Sequence, residues 1–285
     1  MKVQTKIDGE IERYLSGDQL YGDNLTLPEI EAWYADEGEG YANLGSLNKS
    51  SYRYVYHALN WRHGFSKVNL NPGLNILGFG SAYGEELKPV LAKARNITII
   101  DPSDVFVSKA IGGIPCSYVK PIASGKLEFQ NSTFDLVTAF GVLHHIPNVS
   151  TVLREISRVM KPGATLLLRE PIVSMGDWRF PRPGLTRHER GIPIKLLREL
   201  VLASGLKIQS EELCVFPPLT TVLRKIQPEV YNNSLLTAID QILSRIFSFN
   251  VSYHAFSWWQ KIRPSAVFFV IEKPENVDKE MRAAL

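Results

Sequence analysis

The stretch Leu74-Asn-Ile-Leu-Gly-Phe-Gly-Ser-Ala-Tyr-Gly84 decides the fold of this chain. Its apolar start predicts a β-strand, and its glycines predict a tight turn that leads into a helix over residues 85–94. Glycine lets the backbone turn sharply and approach a ligand without a Cβ atom in the way. A helix that begins there also presents unpaired N–H groups to a ligand. On its own, the stretch is equally compatible with a plain turn.

Downstream of this turn, short apolar runs alternate with stretches of helical spacing. Strands are predicted at 96–100, 134–140, 164–169, 206–216 and 266–272, and helices at 151–160 and 193–203. This alternation predicts an α/β fold of the Rossmann-like kind, a mainly parallel sheet with helices on both faces. Right-handed crossovers then bring the carboxyl ends of the strands, and any ligand, to one edge.

The regions on either side of this pattern predict two further parts. Residues 1–70 are rich in aromatic and acidic side chains and predict a helical cap or lid. Residues 71–285 form the predicted ligand-binding domain, with a helical insert at 217–264 before the last strand. Apolar residues recur at helical spacing from 235 to 247, which predicts a helix buried against the sheet or in a homodimer contact.

The composition excludes several classes of protein. Of 285 residues, 45% are hydrophobic and 21% are charged, and the net charge of +3 gives no signal of a nucleic-acid partner. No apolar run approaches the roughly 20 residues of a membrane span. Residues 1–12 lack the apolar core of a secretory signal, so a cytoplasmic protein is expected. Cys116 and Cys214 belong to no metal-binding pattern, so no metal is expected.

Asp101 is the second sign of a ligand site, because it ends the predicted strand 96–100. A carboxylate at this place accepts hydrogen bonds from the ribose hydroxyls of a bound nucleoside. The alternative is a solvated aspartate at a strand end. Together with the glycine turn on the preceding strand, Asp101 favours a nucleoside-binding site.

Two further motifs follow in order: Thr133-Phe-Asp-Leu-Val-Thr-Ala-Phe-Gly-Val-Leu-His-His-Ile146 and Arg158-Val-Met-Lys-Pro-Gly-Ala-Thr-Leu-Leu-Leu-Arg-Glu170. With the glycine turn, they resemble the class I S-adenosylmethionine (SAM)-dependent methyltransferases of the group that includes the ubiquinone and menaquinone methyltransferases. The resemblance covers about residues 70–170. It implies SAM as the cofactor, methyl transfer as the activity and a small molecule as the acceptor.

The resemblance also implies a set of cofactor-binding residues: Gly78, Gly80, Ser81, Asp101, Pro102, Ser124, Phe140 and Gly141. The first three would pass along the methionine part of SAM, while Asp101 would hold the ribose and Pro102 would lie beside the adenine. Two positions where the family usually carries an acid hold Ile76 and Ala123 here. The absence of these two acids leaves open the alternative that the protein retains the fold but does not catalyse methyl transfer.

The candidate catalytic residues lie at the same edge of the predicted sheet. Transfer to a hydroxyl oxygen benefits from a base that removes its proton, most often a histidine. His144 and His145 follow the strand 134–140, and Glu170 ends the strand 164–169. One of the histidines could be that base, or both could simply shape the loop. Further candidates, Asp177 and Glu189, lie in the next loop.

The loop at residues 177–193 is arginine-rich and stiffened by prolines. Arginine forks bind carboxylates and phosphates through paired hydrogen bonds. The loop therefore predicts an acceptor that is anionic or carries a sugar, held by four side chains: Arg179, Arg187, His188 and Arg190. The alternative is a basic loop that pairs with the acidic N-terminal region.

Three functions are compatible with these patterns. The favoured one is a SAM-dependent methyltransferase that acts on oxygen, because the Asn-Pro-Pro-Tyr-like motif of related amino-directed enzymes is absent. The second is a non-catalytic binding or regulatory subunit. The third is a nicotinamide-dependent dehydrogenase, against which the His-His-Ile and Lys-Pro-Gly elements argue.

Overall fold

The computed structural model describes residues 9, 11–45, 52–223 and 225–275, and only the backbone of 38–45. Parts of the predicted cap, 1–70, therefore lie outside the described residues. The described strands are β1 (Leu74–Phe79), β2 (Ala94–Ile100), β3 (Ala110–Ile111), β4 (Ile114–Val119), β5 (Phe134–Phe140), β6 (Met160–Pro171), β7 (Lys207–Cys214) and β8 (Ala266–Glu272).

These strands form one eight-stranded sheet in the order β3-β4-β2-β1-β5-β6-β8-β7. The run β4-β2-β1-β5-β6 is parallel, whereas β8 is antiparallel to both of its neighbours. The strand order reverses between β1 and β5, at the carboxyl ends where open α/β sheets bind their ligands. This architecture confirms the predicted Rossmann-like α/β fold.

The described helices are α1 (Leu27–Gly45), α2 (His57–His63), α3 (Val149–Val159), α4 (Ile194–Ala203), α5 (Pro217–Leu223) and α6 (Ser234–Ile246). The helix predicted at 85–94 is a 3₁₀ helix, Glu85–Lys93, with Pro89 inside it. Proline has no N–H to donate, which disfavours a regular α-helix at this place. The helix predicted at 151–160 ends at Val159, and β6 begins at once with Met160.

Both faces of the sheet are buried, as the alternation along β8 shows. Val267 and Phe269 pack in a core that includes residues of α3 and α4, whereas Phe268 and Val270 pack on the opposite side with residues of α2. Removing each such side chain from water stabilises the folded state by about 1.5–3 kcal/mol. These two cores hold the strand ends, and the loops that follow them, in fixed positions.

The insert between β7 and β8 is helical, but α6 does not pack as the sequence predicts. It buries polar side chains, Thr237, Asp240 and Ser244, and leaves three apolar ones exposed, Leu235, Ile242 and Ile246. The reason is Asp240, whose carboxylate accepts the backbone N–H groups of Val215 at 3.0 Å and Phe216 at 2.7 Å. The apolar stripe is therefore only partly buried, since Leu236 packs against the core on one face of the sheet. A homodimer contact stays a prediction.

Helix α1 lies against the carboxyl end of β5. It covers the edge formed by the carboxyl ends of the parallel strands, which we call the ligand edge. Its Trp33 is only 2% exposed and donates a hydrogen bond from Nε1 to the carbonyl of His145 at 2.8 Å. Within the described residues, no helix has the length and apolarity that a membrane crossing requires.

Candidate active site

Gly80, at the start of the turn after β1, is packed too tightly to carry a side chain. Gly80 has a φ of +68°, and a Cβ atom there would lie 2.5 Å from Cγ2 of Val142. Its N–H donates to the carbonyl of Ile100 at 2.7 Å, which ties the turn to the end of β2. The turn therefore presents bare backbone to the space beyond the strands.

Asp101 follows β2 and is held in place by the main chain. Its Oδ2 atom accepts the N–H of Ala82 at 3.1 Å, and its Oδ1 atom accepts the N–H of Ser103 at 3.0 Å. Burial raises the pKa of Asp101, and these two N–H groups partly offset that rise. Each carboxylate oxygen has a further lone pair, so the residue can still accept ribose hydroxyls.

Two cavities at this edge share four wall residues: Gly80, Pro102, Ser103 and Val142. The larger has a volume of about 410 Å³ and a mostly apolar wall that includes Ile100 and Tyr34. The smaller, of about 200 Å³, brings Asp101, Gly141 and His145 together. The apolar cavity fits the adenine of SAM, the carboxylate of Asp101 fits the ribose, and the bare glycine backbone fits the amino-acid part.

The other predicted cofactor residues lie away from these walls. Ser124 is exposed, and its neighbour Ala123 lines the larger cavity instead. Ser81 is buried and turned inwards, and Phe140 packs in the core beside Phe268, with 5.5 Å between ring centroids. Gly78 is a strand residue of β1 and pairs with β2 and β5.

Glu86 is a buried acid beneath the glycine turn that the motifs did not single out. It accepts hydrogen bonds from Ser81 Oγ at 2.5 Å and from Thr138 Oγ1 at 3.3 Å. Burial raises its pKa to about 7, although both hydroxyls act in the opposite direction. Ile76, which stands where the family usually has an acid, is fully buried in the core. The only sequence signal for Glu86 was a pair of acids, Glu85 and Glu86, that follows the third glycine of the turn, Gly84.

Glu170 is completely buried and positions the loop that follows β5. Its carboxylate accepts the N–H groups of Val142 at 2.9 Å and Leu143 at 2.8 Å. It also bonds Nδ1 of His144 at 2.8 Å, which fixes the orientation of that ring. Because all of these contacts are internal, Glu170 acts as a positioning residue for His144.

The two histidines lie side by side within a network of carboxylates. His144 Nε2 is 3.6 Å from Oε1 of Glu189, and His145 Nδ1 is 3.3 Å from Oε2 of Glu37. Burial opposes protonation of His144, but hydrogen bonds to Glu170 and Glu189 outweigh it and raise the pKa of His144 to about 8. Burial and repulsion from His144 lower the pKa of His145. Glu37 was missed in the sequence because α1 is distant in the chain.

Arg190 has no exposed surface and donates to four main-chain carbonyls: those of Tyr21, Leu143, His144 and Ile146. The structure thus gives Arg190 a structural role, which corrects the predicted role in acceptor binding. A buried guanidinium with every contact on the protein has no fork to offer to an acceptor. It instead ties the loop after β5, which carries His144 and His145, to the segment before α1.

The other predicted acceptor-binding residues pair with acids. Arg179 forms an ion pair with Asp177 at 2.6 Å, and Arg187 forms one with Asp36 of α1 at 3.1 Å. His188 Nε2 also contacts Asp36, at 2.9 Å. The contacts of Arg187 and His188 follow the alternative considered for this loop, pairing with the acidic N-terminal region, whereas Arg179 pairs within the loop itself. Arg187 keeps 68% of its side chain exposed, the larger share among these two arginines.

Comparison with known proteins decides the family. A family model described as a methyltransferase domain matches residues 52–211, which is more than half of the chain. The chain belongs to the class I SAM-dependent methyltransferases. SAM is therefore the cofactor of this methyltransferase, and the resemblance of its motifs is confirmed.

The relatives of this methyltransferase act on different atoms, according to their names. It is 28% identical to a ubiquinone biosynthesis O-methyltransferase of Shewanella halifaxensis over 133 residues, 46% of this chain and 53% of that protein. It is also 28% identical to a sterol 4-C-methyltransferase of Caenorhabditis elegans over 116 residues, 39% of this chain and 35% of that protein. The methyltransferase thus spans about half, or less, of these relatives.

A solved structure shares the fold alone. An N-methyltransferase of Haemonchus contortus, in complex with phosphomonomethylethanolamine and S-adenosylhomocysteine, superposes with a TM-score of 0.54 at 14% identity. The match covers 88% of this chain and 60% of that one. Relatives and neighbour together name oxygen, carbon and nitrogen as methylated atoms, so similarity alone does not choose among them.

Proposed function

We propose that this methyltransferase transfers the methyl group of SAM to a hydroxyl oxygen of a small acceptor. When bound, SAM supplies a methyl group that its sulfonium sulfur activates. The observation that carries the proposal is the smaller cavity, whose wall brings together Asp101, Gly80, Gly141 and His145. A donor site and a polar acceptor site thus share one space.

Each part of this space has a separate task. Asp101 would bind the ribose, and the backbone at Gly80 and Gly141 would allow the methionine part to lie close. His145 places the polar cluster of His144, His145 and Glu189 at the wall, so the reacting hydroxyl would be held there. Tyr34 of α1 lines the larger cavity, where burial raises its pKa to about 12 and keeps the phenol neutral. Holding both reactants in one enclosed geometry is the main catalytic task in such a displacement.

An anionic or sugar-containing acceptor is the finer part of this proposal, and it depends on Arg187. This side chain is mostly exposed, and its partner Asp36 is 38% exposed. An exposed ion pair is worth about 0–1 kcal/mol, so an acceptor anion could replace Asp36 at little cost. Arg179, by contrast, is chelated by Asp177 through both Nε and Nη2.

The cap and the cellular setting complete the proposal. We treat residues 1–70 as a cap that closes over 71–285, because α1 supplies Trp33, Asp36 and Glu37 to the ligand edge. The family model begins at residue 52, inside this proposed cap. A cytoplasmic setting is part of the same proposal, and the free thiols of Cys116 and Cys214 are compatible with it.

The atom that carries the transferred methyl group in the product tests the proposed function. The purified protein is incubated with SAM carrying a carbon-13 methyl group and with a panel of catechols, phenols and hydroxy acids. The carbon-13 shift of the product methyl then separates methyl on oxygen from methyl on nitrogen or carbon. A methyl ether supports the proposal, whereas an N-methyl or C-methyl product overturns it. Binding of SAM without turnover on any acceptor would favour the non-catalytic subunit.

A further inference from the structure

We propose that His144, His145 and Glu189 bind a divalent transition-metal ion, with Zn²⁺ the best fit, and that this ion receives the acceptor hydroxyl. The binding of the ion stands on the geometry of the cluster alone. Its role in activating the acceptor rests on the proposed function. The motifs do not indicate this site, because the three ligands lie in two loops with no metal-binding spacing between them.

The donor atoms are already close together. One ligand atom from each of the three side chains lies within 4.8 Å of the other two, and His144 Nε2 is 3.6 Å from Glu189 Oε1. Zinc–ligand bonds of about 2.0–2.2 Å would need these atoms to close by roughly 1 Å, within the reach of small side-chain movements. Two imidazoles and one carboxylate, with a position left for substrate, is a donor set of catalytic zinc sites.

Both imidazoles are held by carboxylates in the manner of metal ligands. Nδ1 of His144 contacts Glu170 at 2.8 Å, and Nδ1 of His145 contacts Glu37 at 3.3 Å. A carboxylate on one ring nitrogen fixes the ring and makes the other nitrogen a better ligand. If the two histidines only shaped the loop, a carboxylate at Nδ1 of both rings would not be needed.

The supporting carboxylates are themselves fixed. Glu170 is bound by backbone N–H groups after β5. Glu37 accepts a hydrogen bond from Thr186 Oγ1 at 2.5 Å and another from the N–H of His188 at 2.8 Å. Elements distant in the chain, α1 and β6, therefore converge to orient one pair of rings.

The cluster is shielded yet reachable from the ligand space. The side chains of His144, His145 and Glu189 are 9%, 14% and 13% exposed. His145 also lines the cavity that holds Gly141 and Asp101. An ion bound here would have its open position towards the space where methyl donor and acceptor meet. The carboxylates of Glu37, Glu170 and Glu189 supply the negative charge that a dication requires.

The reaction balances with the ion as a Lewis acid. The acceptor hydroxyl binds the ion through oxygen, its acidity increases, and its proton leaves to water. A lone pair on that oxygen then forms the bond to the methyl carbon while the sulfur–carbon bond breaks and its electron pair stays on sulfur. The net change converts an alcohol or phenol and SAM into a methyl ether, S-adenosylhomocysteine and one proton.

Calorimetric titration of the untagged, metal-stripped full chain with Zn²⁺ tests this site. We expect one ion per chain, and an affinity at least tenfold weaker in Glu189→Gln and in His145→Ala. The matched control His57→Ala alters a histidine of α2, outside the cluster, and should bind Zn²⁺ as the unaltered chain does. Circular dichroism confirms that each variant is folded.

A second measurement keeps the test independent of variants. Cobalt(II) added to the unaltered chain should give the visible absorption of a nitrogen- and oxygen-ligated ion, and Zn²⁺ should abolish it. No binding of either ion would overturn the proposal and leave a cluster held together by a proton on His144. Full methyl transfer by metal-stripped protein would overturn the role of the ion while the proposed function stands. Failure to bind SAM, with Zn²⁺ still bound, would instead contradict the proposed function.

Discussion

The ligand edge has two halves that are built in opposite ways. The cofactor half consists of the glycine turn, Glu86 and Asp101, and it comes from β1, β2 and the segment between them. The histidine half consists of Glu37, His144, His145, Glu170 and Glu189, and it comes from α1, β6 and two separate loops. The first half depends on bare backbone, and the second depends on side chains that hold one another. Substitutions should therefore affect binding of SAM in one half and the local order of a network in the other.

The largest effect is expected from Glu170→Ala in the histidine half. The change leaves the N–H groups of Val142 and Leu143 and the ring of His144 without their shared acceptor. Buried donors without partners cost about 1–3 kcal/mol each, so the free energy of unfolding should fall by about 3 kcal/mol or more. Urea denaturation measures this loss.

The control is Glu211→Ala, which removes an acid from a partly exposed ion pair with Arg198. Such pairs contribute about 0–1 kcal/mol, so its unfolding midpoint should move little. Equal losses in the two variants would show that Glu170 does not organise the histidine half.

A slightly smaller effect is expected from Gly80→Ala in the cofactor half. The new Cβ atom would collide with Val142, and the positive φ would be strained as well. Affinity for SAM should fall by about 100-fold, equivalent to about 2.7 kcal/mol. The matched control Gly73→Ala also has a positive φ, +90°, but no atom within 4 Å of its Cβ position. If both variants lost the same affinity, backbone strain rather than the close approach would be the cause.

Glu86 should make the stability of the cofactor half depend on pH. Its folded pKa of about 7 lies above the ordinary value of 4.5, because it is buried. The folded state therefore holds a proton that the unfolded state has lost, and stability falls as pH rises from about 4.5 through 7. Replacement by a neutral amide, Glu86→Gln, should raise the unfolding free energy at pH 8 by on the order of 2 kcal/mol.

Thermal unfolding of both proteins at pH 5 and pH 8 checks this dependence. The gain of Glu86→Gln should be small at pH 5, where Glu86 is protonated in the folded state. A gain of the same size at both pH values would rule out ionisation of Glu86 as its source.

The smallest effect is expected from Arg187→Ala, outside both halves. Because the side chain is mostly exposed, the unfolding free energy should change by less than about 0.5 kcal/mol. For an anionic acceptor, KM should rise about threefold to tenfold while kcat stays constant. The same variant should leave KM unchanged for a neutral acceptor, and an unchanged KM for both would remove the anionic part of the proposal.

The glycine turn and Asp101 of the cofactor half were predictable from the sequence because they are close in the chain, whereas Glu86 was missed. A strand, a glycine turn and Asp101 at the next strand end are local signals, and parallel pairing of β1 with β2 brings them together. The strand limits at 134–140 and 266–272 were also predicted, because mainly apolar runs of that length are typical of buried strands.

The histidine half was predictable only as residue types. The sequence singled out His144, His145 and Glu170, but not Glu37, which reaches His145 only through tertiary packing of α1. Arg190 shows the same limit in reverse, since a loop arginine cannot be recognised from sequence as one that donates to four buried carbonyls. The helical insert was predicted, but the face of α6 that is fully buried was not, because the backbone contacts of Asp240 hold a polar part of the helix inwards.

Calorimetric titration with SAM and with S-adenosylhomocysteine, with NADH as the control, tests the central claim most directly. We expect saturable binding of both sulfur nucleosides with one site per chain, no binding of NADH, and an affinity about tenfold lower in Asp101→Asn. Loss of one charge-assisted hydrogen bond to the ribose accounts for a change of that size. Absence of binding by either sulfur nucleoside, in protein that unfolds cooperatively, would contradict the assignment of the cofactor half.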